Sequence, residues 1–473
     1  MQYSVINYKT VKKIGTLRFD AEYFHPDYLY IAKLIQEKED QFISLKKLKI
    51  KCDASAFYPT LEPYYGQGNI PFIRVADVDD GINYEQILTI PKQILDEYKT
   101  LNLGKKGDIV LTKGGSIARA GLVTKNSALT RDLIFFNTSK LKEDDYIFNY
   151  VYCLTEFYKK QLIQSSSMTA QPHLTITLVR DIPFFNPNEK FKKIIVSLFK
   201  MYSSFLENSK FFYSQAEQLL LSELGLLNWK PKHELVFIKN FADAKDADRF
   251  DAEYFQPKYE EIIEAIKKYK GGFNDLGKLV KIKDENFTPK DDEQYKYIEL
   301  ANISSNGEIN GYTKTFGAEL PSRARRKVQK GHLIVSSIEG SLESIALITE
   351  DWTNALCSTG FFVVHSDEIN SETLLVLLKN KIGQLQLKKG CKGTILTAIS
   401  KDELYKIVLP KIDIKIQKEI KDRIIKMYKA KKLSKSLLKI AKRGVEMSIE
   451  KDEQQAKQWI DHELDNLKIY VNL

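Results

Sequence analysis

Arg18-Phe19-Asp20-Ala21-Glu22-Tyr23-Phe24-His25-Pro26-Asp27-Tyr28 returns 231 residues later as Arg249-Phe250-Asp251-Ala252-Glu253-Tyr254-Phe255-Gln256-Pro257-Lys258-Tyr259, with two of eleven positions changed. Chance does not produce a match of that length, so the chain contains an internal duplication. Four later pairs keep step at offsets between 224 and 226 residues. FIRVADV at 72–78 answers YIELANI at 297–303, and KKGDIVLTKGG from Lys105 answers QKGHLIVSSIEG from Gln329. GLVT at 121–124 answers ALIT at 346–349, and IPFFNPNEKFKKII from Ile182 answers VLPKIDIKIQKEIK from Val408.

Within each half the runs near 70–78, 107–112, 121–124 and 133–137, and their counterparts 296–303, 331–336, 345–349 and 361–365, are short, β-rich and bounded by turn residues. They predict one compact α+β globule per half. Beyond them the apolar spacing changes to three and four. Ile195, Leu198, Phe199, Tyr202, Phe205, Leu206, Phe212 and Leu219 mark one long amphipathic helix, and Ile416, Ile420, Ile424, Met427, Leu437, Leu438, Ala441 and Val445 mark another, less strictly over 431–436. Each spans about 33 residues, or about 50 Å at 1.5 Å per residue. Gly225 is the expected stop of the first. A protruding helix must bury its apolar stripe, and its own repeat is the nearest partner, so the two are expected to pair as an antiparallel coiled coil with a pseudo-two-fold relation. The expected divisions are 1–185 for the first globule, 186–230 for a central helical spacer, 231–410 for the second globule and 411–473 for a C-terminal helical spacer and tail.

At 473 residues the chain is too long for one core. Its 43% hydrophobic and 28% charged residues, with a mean hydropathy of -0.32, exclude disorder as the main state. The longest apolar run is about five residues, at 374–378, against the roughly 20 of a membrane span. The beginning MQYSVINYKTVKK lacks the apolar segment of a secretion signal. Cys52, Cys153, Cys357 and Cys391 form no CxxC pair, which suits a reducing compartment, and a cytoplasmic protein is expected. The net charge is +10, and the stretch 411–443 alone holds thirteen Lys or Arg against three acids, the footprint of a helix that meets a polyanion.

Catalytic signatures do not emerge. Asn186-Pro187-Asn188 is a turn rather than the Asn-Pro-Pro-aromatic tetrapeptide of an adenine methyltransferase. Gly272 to Lys278 nearly spells a phosphate loop, but Leu279 stands where a magnesium-binding hydroxyl is needed. Asp77, Asp79, Glu97 and Lys99 fit a metal-dependent nuclease loosely. His25, His173, His233, His332, His365 and His462 are scattered singly, without a zinc pair.

A tandem RFDAEYFxPxY opening, an α+β globule with a KxGDIVxS-like strand and loop, and an IPxP-like exit into a long helix resemble the specificity subunits of Type I restriction-modification systems. The resemblance covers nearly the whole chain. It implies two tandem α+β target recognition domains separated by long conserved helices, a subunit without catalytic residues of its own, and recognition of a bipartite, asymmetric double-stranded DNA site. It also implies two methyltransferase subunits and restriction subunits as partners, which would carry S-adenosylmethionine, ATP and magnesium, with no cofactor or metal in this chain and no membrane. The first exit departs from the pattern by lacking the glutamine that the second keeps as Gln417. Three alternatives stay open: the specificity chain of another multisubunit system whose partner fuses nuclease and methyltransferase, a self-sufficient metal-dependent endonuclease, and a structural scaffold whose globules bind proteins and whose basic helix is merely solvated.

Reading bases from the major groove takes Arg or Lys for guanine, Asn or Gln for adenine, Glu for cytosine, and small hydroxyls for either. In the first globule the candidates are Arg74, the loop from Lys113 through Ser116 to Arg119, Arg131, and His173. In the second, Glu339 and Ser341 stand in the matching loop, acidic where the first is basic, so the two readers are expected to see different bases. Arg323, Arg325, Arg326 and Lys327 are assigned to phosphate, as are Lys392 and Thr394 in the stretch 388–394, which answers 165–173.

Overall fold

The computed structural model describes residues 6–7, 11, 20–56, 59–85, 87–166, 173–304, 306–393 and 397–469. It divides into two compact units, one of residues 1–205 with 433–473, the other of residues 206–432.

Eight strands build the two four-stranded sheets of unit 1: β1 (Lys51–Ala54), β2 (Ile70–Ile73), β3 (Thr89–Ile90), β4 (Leu103–Gly104), β5 (Ile109–Thr112), β6 (Ala120–Leu122), β7 (Ser127–Leu129) and β8 (Leu133–Asn137). One sheet runs β1-β8-β5-β6 and the other β3-β2-β7-β4. All neighbours are antiparallel except β2 and β7, which pair in parallel with Phe72 opposite Ala128 and Ile73 opposite Leu129. Side chains alternate across a strand. Thus Ile109, Leu111, Ile134 and Phe136 face the helices, while Val110, Leu133 and Phe135 join Ile73 and Leu129 between the sheets.

Unit 2 repeats this plan strand for strand. The corresponding four-stranded sheets are built from β9 (Lys281–Ile282), β10 (Gln294–Ile298), β11 (Thr313–Phe316), β12 (Ala324–Lys327), β13 (Leu333–Ser336), β14 (Ile345–Leu347), β15 (Leu356–Ser358) and β16 (Phe361–His365). The sheets run β9-β16-β13-β14 and β11-β10-β15-β12, each strand eight numbers beyond its counterpart. The single parallel pair recurs as β10 with β15, Tyr297 opposite Leu356 and Ile298 opposite Cys357. Leu333 and Val335 face helices, and Ile334 and Val363 face the other sheet.

The helices repeat as well. In unit 1, α1 (Pro26–Glu37), α2 (Glu143–Cys153) and α3 (Glu156–Ser165) precede α4 (Glu189–Glu223); in unit 2, α5 (Pro257–Lys267), α6 (Ser371–Lys379) and α7 (Lys381–Lys389) precede α8 (Ile414–Glu450). The chain then adds α9 (Glu453–Asn466). The apolar run 374–378 is the interior of α6, every one of its side chains buried. Neither α4 nor α8 contains proline, and both run unbroken, for 35 and 37 residues. Asn188 caps α4 by accepting from the Phe191 amide at 2.9 Å. Gly225, at φ +67°, ends it in a Schellman turn in which the Leu226 amide donates to the Leu221 carbonyl at 2.7 Å.

The compact units cut both long helices mid-length. Within unit 1, Phe191, Ile195 and Leu198 of α4 share a core with Leu437, Ala441, Val445 and Ile449 of α8 and Ile460 of α9. Within unit 2, Ala216 and Leu220 of α4 share a core with Ile420, Ile424 and Met427 of α8. The weak periodicity at 431–436 coincides with the junction at 432–433. No helix among the described residues is long and apolar enough to cross a membrane.

Candidate nucleic-acid interface

In unit 1, β5 ends in the loop 113–119, whose shape is held by Thr112. Its hydroxyl donates to the Ser116 carbonyl at 2.5 Å and accepts from the Arg119 amide at 3.0 Å. Gly115 and Ala118 have left-handed φ of +71° and +65°. A Cβ on Gly114 would lie 2.9 Å from His173 Cε1, and the two residues form a β-bridge, so only glycine lets the strand approach so closely. Lys113 is tied on both sides, its amide donating to the Asp132 carbonyl and its own carbonyl accepting from the Leu174 amide. The fold therefore brings Lys113, Ser116, Arg119 and His173 together. Ser116 and His173 are exposed. Arg119 is partly exposed and its Nε stands 3.9 Å from Asp79.

Arg74 and Arg131 line one open cleft of about 560 Å³ with Tyr65, Phe72, Thr130 and Asp132. Arg74 is less free than its sequence position implied. Its Nε and Nη2 each donate to the buried Asp77 carboxylate at 3.1 Å, and that hydrogen-bonded pairing raises its pKa above the ordinary arginine range. The remaining guanidinium donors stay available to a ligand in the cleft. Asp77, one of the loosely nuclease-like carboxylates, is thereby a partner of Arg74, and Asp79 faces Arg119.

In unit 2 the matching loop is a short 3-10 turn, Glu339–Ser341. Ser341 Oγ stands 3.0 Å from Ser336 Oγ, the Glu339 amide donates to the Thr397 carbonyl, and Ile338 bridges Ala398 as Gly114 bridges His173. Glu339 is exposed. Lys392 pairs with Glu403 at 3.2 Å, and Thr394 lies outside the described residues.

The basic run 323–327 does not form one patch. It builds β12, an edge strand with an irregular step between Ala324 and Arg326. Arg325 donates to the Ser322 carbonyl at 3.0 Å, Arg326 to Asn286 Oδ1 at 3.1 Å, and Lys327 sits over the Phe287 ring at 4.9 Å. Arg323 is exposed. Alternation along a strand disperses charges that stand side by side in sequence.

The repeated opening motif is a clamp in unit 2. Arg249 forks onto Asp251 and reaches the Lys389 and Cys391 carbonyls at 3.3 and 2.9 Å. Asp251 accepts from the Tyr254 amide at 3.0 Å, and Asp20 accepts from the Tyr23 amide at 2.9 Å in unit 1. Arg18 and Phe19 lie outside the described residues.

Sequence reading missed Asp80. It bonds Lys159 of α3 and Lys442 of α8, both at 2.9 Å, and its carbonyl accepts from Tyr150. Partial burial pushes the carboxyl upward, but the two lysines outweigh it and hold it below the ordinary carboxylate range. Asp80 fastens the loop next to Asp79 and Arg119 to a long helix. The turn sequence Asp79-Asp80-Gly81 was the available signal, and Asp80 takes a left-handed φ of +47° there.

The DNA specificity domain of Type I restriction modification matches residues 45–218. The Type I restriction enzyme MjaIX specificity subunit of Methanocaldococcus jannaschii is 27% identical over 157 residues, which are 32% of this chain. The match spans only about a third of that relative, 36% of its length. Among solved structures, the Type-I restriction-modification S subunit of M. genitalium aligns over 91% of this chain and 96% of its own, at 14% identity and a TM-score of 0.38. The HsdS subunit of Thermoanaerobacter tengcongensis aligns over 87% of this chain and 97% of its own, at 12% identity and a TM-score of 0.28.

Proposed function

We propose that this chain, which belongs to the Type I restriction-modification specificity family through its residues 45–218, is the subunit that reads a bipartite, asymmetric site on double-stranded DNA without catalysing a reaction. The observation that carries the reading is the repetition of one sheet plan, strand for strand, under loops of different chemistry. A protein that recognises two separated, unlike DNA segments needs two readers of one fold and different side chains. Loop 113–119 with His173 offers arginine, lysine and a hydroxyl; its counterpart offers Glu339 and Ser341. These suit guanine and cytosine edges respectively.

In this reading α4 and α8 pair as an antiparallel coiled coil, a pairing supported by the cores that segments of both helices share inside each unit. Helices of 35 and 37 residues, about 50 Å long, can set two readers one DNA turn apart, about 34–36 Å. They would also dock two methyltransferase subunits and recruit restriction subunits. S-adenosylmethionine, ATP and magnesium then act in those partners.

The test is a genome-wide map of adenine methylation in the source strain with and without the gene. One split motif, two short blocks around an unspecified spacer, should vanish on deletion. Arg119→Ala should relax only one block and Glu339→Gln only the other, each contact being worth about 1–3 kcal/mol of discrimination. A map unchanged by deletion in an expressing strain refutes the reading.

A further inference from the structure

The outer sheet of unit 2 holds two like charges face to face. Lys296 of β10 and Lys314 of β11 are direct cross-strand partners, so they share a face of the sheet, and both are exposed. Directly opposed like charges destabilise an antiparallel pair. Among the described residues Lys314 has no ion pair to offset this. The fold itself does not demand the arrangement, because the equivalent pairs in unit 1 are Ile70 with Ile90 and Pro71 with Thr89.

The surroundings are aromatic and basic. Lys296 Nζ lies 5.5 Å from the ring centroids of both Tyr312 and Trp352, which meet edge to face, and Tyr312 is 45% exposed. Lys296 also donates to the Asp351 carbonyl at 3.0 Å, while the Asp351 carboxylate faces Lys432 of α8 at 3.3 Å. Asp351 thus compensates the helix lysine and leaves Lys296 and Lys314 without a carboxylate of their own. From Lys432 the solvent side of α8 continues through Lys429, Lys426, Lys421 and Lys418, all exposed, with Asp422 the one exposed acid among them. At 1.5 Å per residue this adds a basic track of about 20 Å.

A single small anion would satisfy one or two of these lysines. A track of that length beside the exposed Tyr312 ring fits a repeating anion with sugars between its charges. We infer that this face of unit 2 binds the sugar-phosphate backbone of double-stranded DNA independently of sequence, with Lys296 and Lys314 each neutralising a phosphate. The inference rests on the DNA-reading function proposed above and adds a holding surface apart from the reading loops.

The test compares the full chain with its Lys296→Ala/Lys314→Ala double variant, titrating a 30-bp duplex of mixed sequence at salt concentrations from 50 to 200 mM. Each lost phosphate contact reduces the slope of log affinity against log salt by about 0.9, so the variant should lose about 2 in slope and about tenfold in affinity at 0.1 M salt. Lys314→Gln alone should raise the melting temperature without DNA, because it removes the repulsion, and should lower the stabilisation that added duplex provides. An unchanged slope and affinity in the double variant, with the unaltered chain binding normally, overturns the inference and leaves the DNA-reading function standing. The same holds if the variant loses binding to an acidic partner protein while its DNA slope is intact. Failure of the unaltered chain to bind any duplex at 50 mM salt overturns the reading and the inference together.

Discussion

Lys192 and Gln417 are the fourth residues of α4 and α8, and the contrast between them shows what the duplication preserved. Gln417 is buried; its Oε1 accepts from the Asn370 amide at 3.0 Å, and its Nε2 donates to the Ile412 carbonyl at 3.0 Å, joining α8 to the cap of α6. Lys192 is equally buried and joins α4 to the first turn of α2 through Asp145 at 2.8 Å, with Glu189 at 2.7 Å. The glutamine missing from the first half is thus replaced by an ion pair at the same joint. What persists is the joint between long helix and globule; the chemistry that makes it was free to change.

The first way to test this equivalence is to melt one unit and watch the other. Phe184 is fully buried against Phe136, Tyr152 and Tyr158. Phe184→Ala should cost unit 1 about 3–5 kcal/mol. Chemical denaturation should then separate into two transitions, the earlier belonging to unit 1. A single shifted transition would show that the units unfold as one.

A second test sharpens the contrast at the joint. Lys192→Ala should cost about 2–3 kcal/mol, since it strands Asp145, and Gln417→Ala about 1–2 kcal/mol. Desolvation lowers the Lys192 pKa, but Asp145 and Glu189 outweigh it and raise the pKa overall. A raised lysine pKa contributes stability below the unfolded value of about 10.4 and loses it as pH rises through the folded value. The Lys192→Ala penalty should therefore shrink in strong alkali, while the Gln417→Ala penalty should not. Thermal melts of the two variants across that range check the difference.

The smallest expected effect is at the loop fastenings. Asp80 bonds two lysines, whereas in unit 2 the loop is held by Tyr428, which donates to the Gly307 carbonyl at 3.0 Å, and by Lys431, which faces Glu308 at 3.8 Å. Asp80→Asn should cost about 1–2 kcal/mol at neutral pH. A depressed carboxylate pKa contributes stability above the unfolded value of about 3.9 and loses it as pH falls through the folded value, so the penalty should fade as the solution is acidified through that range. Tyr428→Phe should show no such acid dependence.

The tandem RFDAEYF motif, the β-rich runs and the change to helical spacing determined the duplicated α+β design from the sequence alone, because repeats and periodicity are local properties of a chain. The strands at 127–129 and 356–358 escaped notice, since three residues are too few to display a period of two, yet each supplies the parallel partner at the centre of its sheet. Proximity to a loop could be read for Ser116, Arg119 and Glu339. Availability could not: Arg74 is tied to Asp77, and the run 323–327 is spread by strand alternation. Lys296 and Lys314 stand 18 residues apart, and no linear pattern announces them. Only hairpin register makes them neighbours, because the energy of a charge depends on what folding places opposite it.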